Sequence, residues 1–320
     1  MLLDGLPPLG TRCALQRLAA YSNSRSIKDP HRMSNTILVT GATGTVGREL
    51  VNALKAAGAD LVAMSSTGKA VEGIETRHAD LANPASLVPA LRGIHTLFLL
   101  LPLQADMVEL ARNALDAARM AGVKHIVRSS GAEAVSANPS AVGLVQRQID
   151  ELVKQSGMAY TLTLPNCFMQ NYLTFYGDAI RAGTLYLPQG EGKVSFVDVR
   201  DIAAVNASIL RQPAAHAGKT YTLTGREALS NDDVVERIGA ALGRSIGYVA
   251  VPDEAAIASM REAQLDAWSI ETVMSLNRAI AAGHAAAVSP DVETLLAQPP
   301  RTFEQFVTDH AASWGGKAAR

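Results

Sequence analysis

The chain is poor in cysteine, in aromatic side chains and in any surplus of charge. Cys13 and Cys167 are the only cysteines in 320 residues, which argues against a disulfide framework and suits a reducing cytosol. Lysine and arginine number 29 against 30 aspartate and glutamate, for a net charge of −1. With no basic cluster interleaved with aromatics, there is no electrostatic footprint for nucleic acid. The longest strongly apolar run, around 97–103, falls far short of the roughly 20 residues that span a bilayer, so no membrane partner is expected. His31, His78, His95, His125, His216, His284 and His310 are scattered, with no close His or Cys pair at ligand spacing, and no metal is expected. What remains is a globular composition, 48% hydrophobic and 18% charged, on a chain long enough to bury a sizeable core.

Residues 1–32, with Pro7-Pro8, scattered arginines and no sustained periodicity, make a poor folding unit. They are expected to be a disordered extension or the product of an upstream start codon, since Met33 offers a second beginning. A cleaved targeting segment suits them less well, because Asp4 and Asp29 interrupt the positive charge.

From Thr36 to Leu54 an apolar run, three spaced glycines and an amphipathic segment follow one another without a gap. Ile37, Leu38 and Val39 suit a buried strand, and Val46, Leu50, Val51 and Leu54 recur at helical spacing. Between them lie Gly41, Ala42, Thr43, Gly44, Thr45, Val46 and Gly47. In such a strand–loop–helix, Gly41 permits a tight turn, Gly44 lets the backbone approach a diphosphate, and Gly47 lets the helix pack on the strand. The first-turn amides and the helix dipole then face an anion. The motif predicts a dinucleotide site.

The next strand, 60–64, runs into Ser65, Ser66 and Lys69, where sites for NAD usually place an acidic residue on the adenine ribose. Hydroxyls and a cation accept a 2′-phosphate without carboxylate repulsion, so NADP(H) is favoured over NAD(H), although Lys69 also suits a solvated loop. Further strands are predicted at 75–78, 96–101, 125–128 and 161–164, alternating with helices at 84–92, 105–121 and 141–155. That alternation predicts an α/β, Rossmann-like, doubly wound parallel sheet over 33–165. Beyond it the alternation lapses, and 166–320 is expected to form a smaller substrate and lid lobe integrated with the core. Within that lobe the pattern predicts short strands at 194–197 and 219–223, helices at 199–210 and 231–242, a long helical stretch over 253–282 and an aromatic-bearing tail at 301–314.

Several blocks beyond the loop resemble the NmrA-like family, an atypical branch of the short-chain dehydrogenase/reductases. They are Gly122-Val-Lys-His-Ile-Val leading into Ser129-Ser130-Gly131, and Ser156 to Pro165 followed by Asn166-Cys-Phe-Met-Gln-Asn171. Then come Val194-Ser-Phe-Val-Asp198-Val-Arg-Asp201, Gly218-Lys-Thr-Tyr-Thr-Leu-Thr-Gly225 and Pro299-Pro-Arg-Thr-Phe-Glu-Gln-Phe306. The resemblance covers nearly everything from Met33 onward. It implies NADP(H) across the carboxyl ends of the strands and a substrate cleft closed by the smaller lobe. By similarity Asp80 and Leu81 lie near the adenine, though Asp80 also reads as a turn or helix-capping residue. Leu100, Leu101 and Pro102 pass near the ribose next to the nicotinamide, and Asn166, Phe168 and Asn171 line the pocket, with plain core as the other reading of Phe168.

Typical short-chain reductases use a Tyr-x-x-x-Lys pair for proton transfer, and this chain has none. Gln146 and Asp150 occupy the corresponding places, and neither does that work near neutral pH. Asp150 is expected to be an exposed helix residue with no role in the chemistry. Ser130, Gln146 and Asn171 remain as candidates for contact with the acceptor. Trp268, Met274 and the aromatic tail either wall a small-molecule cleft or pack the lid onto the sheet. Two functions follow. The favoured one is an NADPH-dependent reductase of a quinone or other small conjugated electrophile, whose oxyanion takes its proton from water. The other is a non-catalytic NADP(H) sensor that binds a protein partner.

Overall fold

Among residues 35–315, which the computed structural model describes, strands and helices alternate as the hydrophobic periods direct. The extension at 1–32, with Cys13 and His31, lies outside the described residues. The first half runs β1 (Ile37–Val39), α1 (Thr45–Ala56), β2 (Leu61–Ser65), β3 (Glu75–His78), α2 (Pro84–Leu91), β4 (Thr96–Leu99), α3 (Met107–Ala121), β5 (His125–Ser129), α4 (Ala141–Lys154) and β6 (Ala159–Pro165). The second half runs α5 (Gly177–Ala182), β7 (Thr184–Leu187), α6 (Val199–Arg211), β8 (Lys219–Leu223), α7 (Asn231–Leu242), β9 (Gly247–Ala250), α8 (Asp253–Glu262), α9 (Ala267–Ala281), α10 (Asp291–Leu296) and α11 (Phe303–His310).

Seven strands form a parallel sheet in the order β3-β2-β1-β4-β5-β6-β8. The chain winds outward from β1 to β3, then returns to the other side of β1 as β4. The switch between β1 and β4 opens a crevice at their carboxyl ends. The period of two along each strand divides its side chains between two cores. Leu38, Leu97, Leu99, Ile126 and Leu162 join α2, α3 and α4 on one face. Ile37, Val39, Phe98 and Val127 join α1 and α6 on the other. Each such apolar side chain contributes roughly 1.5–3 kcal/mol through burial, so register is held from both faces.

A third core gathers Met169, Tyr172, Phe196, Phe303, Phe306 and Trp314. Tyr172 meets Phe196 edge-on at 5.4 Å between centroids, and Trp314 Nε1 donates to the Tyr172 carbonyl at 2.8 Å. The aromatic tail and the fully buried Met274 therefore pack the interior and do not wall a cleft.

Three expectations are corrected. Residues 194–197 form isolated bridges and no strand: Val194 pairs with Leu229 and Val197 with Phe168, while Ser195 N donates to the Ala285 carbonyl at 3.0 Å. The stretch 253–282 is two helices. Gln264 takes a left-handed φ of 60° between them, and Asp266 caps α9 by accepting from Ser269 N at 2.9 Å. The 219–223 strand joins the main sheet as β8, while the unexpected β7 and β9 pair with each other. No helix among the described residues is long and apolar enough to cross a membrane.

Candidate functional site

The crevice is built first by Thr40, one residue past β1. Its Oγ1 accepts from Leu100 N at 2.8 Å and lies 2.8 Å from the Leu100 carbonyl, which locks the ends of β1 and β4 together. The chain then turns at Gly41, whose φ of +63° disfavours any side chain. Gly44 N donates back to the Gly41 carbonyl at 3.0 Å, closing the loop. A Cβ on Gly47 would stand 2.0 Å from the Gly41 oxygen, so only glycine lets α1 approach this closely.

Ala42 and Val46 are buried beneath, while Gly41, Thr43, Gly44 and Thr45 are exposed above. The N-terminus of α1 has no capping side chain and no acidic residue in its first turn. An uncapped amide end with the helix dipole behind it, faced by an exposed glycine, fits a dinucleotide diphosphate.

At the end of β2, Ser65 is buried and its hydroxyl lies 3.3 Å from Thr67 Oγ1. Ser66 and Lys69 are exposed, and His78 Nε2 lies 3.0 Å from the Ser66 carbonyl. The neighbouring Asp80 is exposed and shapes its own turn, Oδ1 accepting from Ala82 N at 2.9 Å. Leu81 is buried, with its carbonyl held by Asn113 Nδ2 at 3.0 Å. Leu101 is buried, Leu100 half-buried and Pro102 exposed where β4 leaves the sheet.

Beside this edge lies a polar cluster. Asp150, expected to be exposed, is only 4% exposed; its position on α4 faces the sheet. Oδ2 accepts from Ser130 Oγ at 2.7 Å, and Oδ1 lies 3.5 Å from Nε of the buried Arg128 on β5. Arg128 also donates to the Ser129 carbonyl and to Gln146 Oε1. Burial pushes the Arg128 guanidinium down to about 10, against the pull of Asp150. Burial likewise raises the Asp150 carboxyl, opposed by Arg128 and the Ser130 hydroxyl. Sequence reading missed Arg128, although an arginine inside the apolar strand Ile126-Val-Arg-Ser signals a buried countercharge.

The expected pocket residues separate. Asn166 is engaged elsewhere, with Nδ2 donating to Ser195 Oγ and to the Ala285 carbonyl, both at 2.8 Å, and Oδ1 accepting from Cys167 N at 2.8 Å. Its amide joins β6 to the 195 and 285 segments. Phe168 is half-buried and packs on the same core as Leu100. Asn171 is half-buried in the 3-10 turn Met169–Tyr172. Trp268 is half-buried near the start of α9, the helix that packs on α4. Among the described residues no cluster of three His, Cys, Asp or Glu side chains could hold a metal ion. Two hollows, about 850 Å³ beside Arg244 and Tyr248 and about 550 Å³ beside Asp201 and Arg301, are lined by residues outside this edge.

The model of the NmrA-like family matches residues 33–307. An NAD(P)H azoreductase from Xenophilus azovorans is 38% identical over 285 residues, covering 87% of this chain and 99% of that protein. The NADPH-dependent quinone oxidoreductase QOR2 from Escherichia coli, solved with NADPH, superposes with a TM-score of 0.76 at 25% identity, over 85% of this chain and 98% of its own. NMRA, a negative transcriptional regulator solved with NADP, shares the fold at a TM-score of 0.69 and 17% identity, over 86% of this chain and 94% of its own.

Proposed function

The chain belongs to the NmrA-like family, and from that premise we propose that it is an NAD(P)H-dependent oxidoreductase whose acceptor is a quinone, an azo compound or another small conjugated electrophile. The observation behind the proposal is the near end-to-end likeness, at 38% identity, to an NAD(P)H azoreductase. The dinucleotide, when bound, supplies the hydride. The 41–47 loop would hold its diphosphate through backbone amides, with Leu100, Leu101 and Pro102 alongside. Ser65, Ser66 and Lys69 would receive a 2′-phosphate, which favours NADP(H) over NAD(H).

On the acceptor side, Phe168, Asn171 and Trp268 are the lining candidates. Leu103, Val135, Leu144 and Phe175 are 55–81% exposed on the segments that follow β4, β5 and β6, and such apolar side chains would suit a flat conjugated molecule. The two-cysteine composition suits work in a reducing cytosol.

Stopped-flow oxidation of NADPH and NADH against a panel of quinones, azo dyes and conjugated aldehydes tests the proposal. Turnover with the quinones or azo dyes is expected. Tight NADPH binding without turnover would favour the NADP(H)-sensing regulator with a protein partner, and tighter NADH binding would overturn the cofactor preference.

A further inference from the structure

Arg128 dictates how Gln146 stands. A guanidinium has N–H donors and no acceptor, so the part of the Gln146 amide that faces it has to be the carbonyl oxygen, as Arg128 Nη2 donating to Gln146 Oε1 confirms. Arg128 cannot turn away, because it is 1% exposed and its other nitrogens face the Ser129 carbonyl and Asp150 Oδ1. Asp150 is fixed in turn by the Ser130 hydroxyl at 2.7 Å.

With its oxygen taken, the amide cannot flip, and its Nε2–H₂ points away from the guanidinium. That nitrogen has no hydrogen-bond acceptor among the described residues and is not among the buried, unpartnered atoms. It lies at the carboxyl edge of the sheet: a Cβ on Gly131, two residues past β5, would sit 3.9 Å from Gln146 Cγ. A side chain unable to give a proton is thus held as a donor, polarised from behind by a buried cation.

We propose that Gln146 is a catalytic residue that stabilises the negative charge developing on the acceptor, with Arg128 as its positioning residue. The proposal rests on the reductase reading above. Hydride addition brings two electrons and one hydrogen nucleus to a quinone and leaves one oxygen as the hydroquinone anion. The Gln146 N–H donates to that oxygen, and water then supplies the proton that completes the hydroquinone. With an azo compound the hydride adds to one nitrogen, the charge falls on the other, and water protonates it to the hydrazine. Such a donor acts on charge as it forms and needs no group titrating near neutral pH.

Gln146→Met and Gln146→Glu divide this role from a structural one. The glutamate keeps the volume and the Arg128 contact but turns the free N–H₂ into a carboxylate oxygen. If Gln146 merely packs against Arg128, the glutamate variant equals or exceeds the wild type and the methionine variant loses more. The proposal requires the reverse order. Single-turnover hydride transfer to a benzoquinone falls about ten- to a hundredfold in Gln146→Met and further in Gln146→Glu, while NADPH affinity stays unchanged. The melting temperature falls only in Gln146→Met, which leaves Arg128 Nη2 without its acceptor, so in Gln146→Glu the loss of transfer comes without a loss of stability. Arg128→Lys lowers transfer in the wild type and adds little in the Gln146→Met background.

The affinity for 4-nitrophenolate, an oxyanion that undergoes no reduction of this kind, gives an independent reading. It falls about tenfold in Gln146→Met, the loss of one charge-assisted hydrogen bond, and more in Gln146→Glu. A glutamate variant that transfers hydride and binds the phenolate as the wild type does overturns the proposal. If the wild type reduces neither quinones nor azo compounds, the reductase reading fails by itself, and the phenolate titration still decides whether the amide is an anion donor.

Discussion

Replacing Gly47 by alanine adds one methyl carbon where the chain leaves no space for it. The new Cβ would lie 2.0 Å from the Gly41 oxygen, 2.7 Å from the Gly41 carbonyl carbon and 2.8 Å from Ala42 Cα. All three are backbone atoms, so no rotamer relieves the contact. Reaching about 3.4 Å, an ordinary close carbon–oxygen approach, requires the loop and α1 to part by more than about 1 Å. The neighbours resist: Thr40 clamps β1 to β4, and Val46, Leu50 and Leu54 are buried under the helix. Overpacking of this kind costs about 1–3 kcal/mol, and the cradle opens with it. Gly47→Ala is therefore expected to lower the melting temperature and to weaken NADPH at least tenfold, about 1.4 kcal/mol, in a fluorescence titration.

Gly44→Val is the companion. A Cβ there meets only the Gly41 oxygen, at 3.3 Å, so the fold should survive. NADPH binding should nonetheless be lost, because the branched side chain fills the approach to the first-turn amides. Unchanged NADPH affinity in both variants would refute the placement of the diphosphate.

Three other outcomes follow from the same geometry. Asp150→Ala leaves Arg128 buried without its countercharge, and chemical denaturation should register a loss of about 3–5 kcal/mol; a change below about 1 kcal/mol would mean that the pair contributes little. Burial first, then the charges of His95 and His216, hold His125 down at about 4. Above pH 6.5 neither the folded nor the unfolded state protonates it, whereas between 6.5 and about 4 only the unfolded chain does. Its contribution is thus present above 6.5 and lost as pH falls toward 4, about 2 kcal/mol after allowance for solvent screening, and the acid limb of the stability profile should flatten in His125→Asn. Lys69→Ala should weaken NADPH about fivefold, the scale of one exposed charge contact, and leave NADH unchanged; equal losses would place Lys69 away from the 2′-phosphate.

The strand–loop–helix at 36–54 was legible because each part carries its own local cause: a β-branched run, glycines where a Cβ is excluded, and an apolar stripe at helical spacing. The strands from β2 to β6 followed from the same periods. Partners distant in sequence were not legible. Residues 194–197 look like a strand, yet their backbone groups are met by Leu229, Ala285 and Cys167 in turn, so no ladder forms. β7 and β9 pair across some sixty residues, and neither is marked by a strong alternation. At the site, a carboxylate on an amphipathic helix reads as solvated, whereas the buried Asp150 faces Arg128, twenty-two positions earlier and near the end of a strand. The partners of the Asn166 amide were equally out of reach of the sequence, because Ser195 and Ala285 come from the far half of the chain.

Hydride transfer itself is the decisive measurement. NADPH and its C4-deuterated form are mixed in turn with enzyme and an azo or quinone acceptor, and cofactor oxidation is followed beside acceptor reduction. One acceptor is expected to be reduced by two electrons for each NADPH consumed, with a normal primary isotope effect on the transfer step. Tight binding of NADPH with no oxidation by any acceptor of either class would contradict the reductase reading.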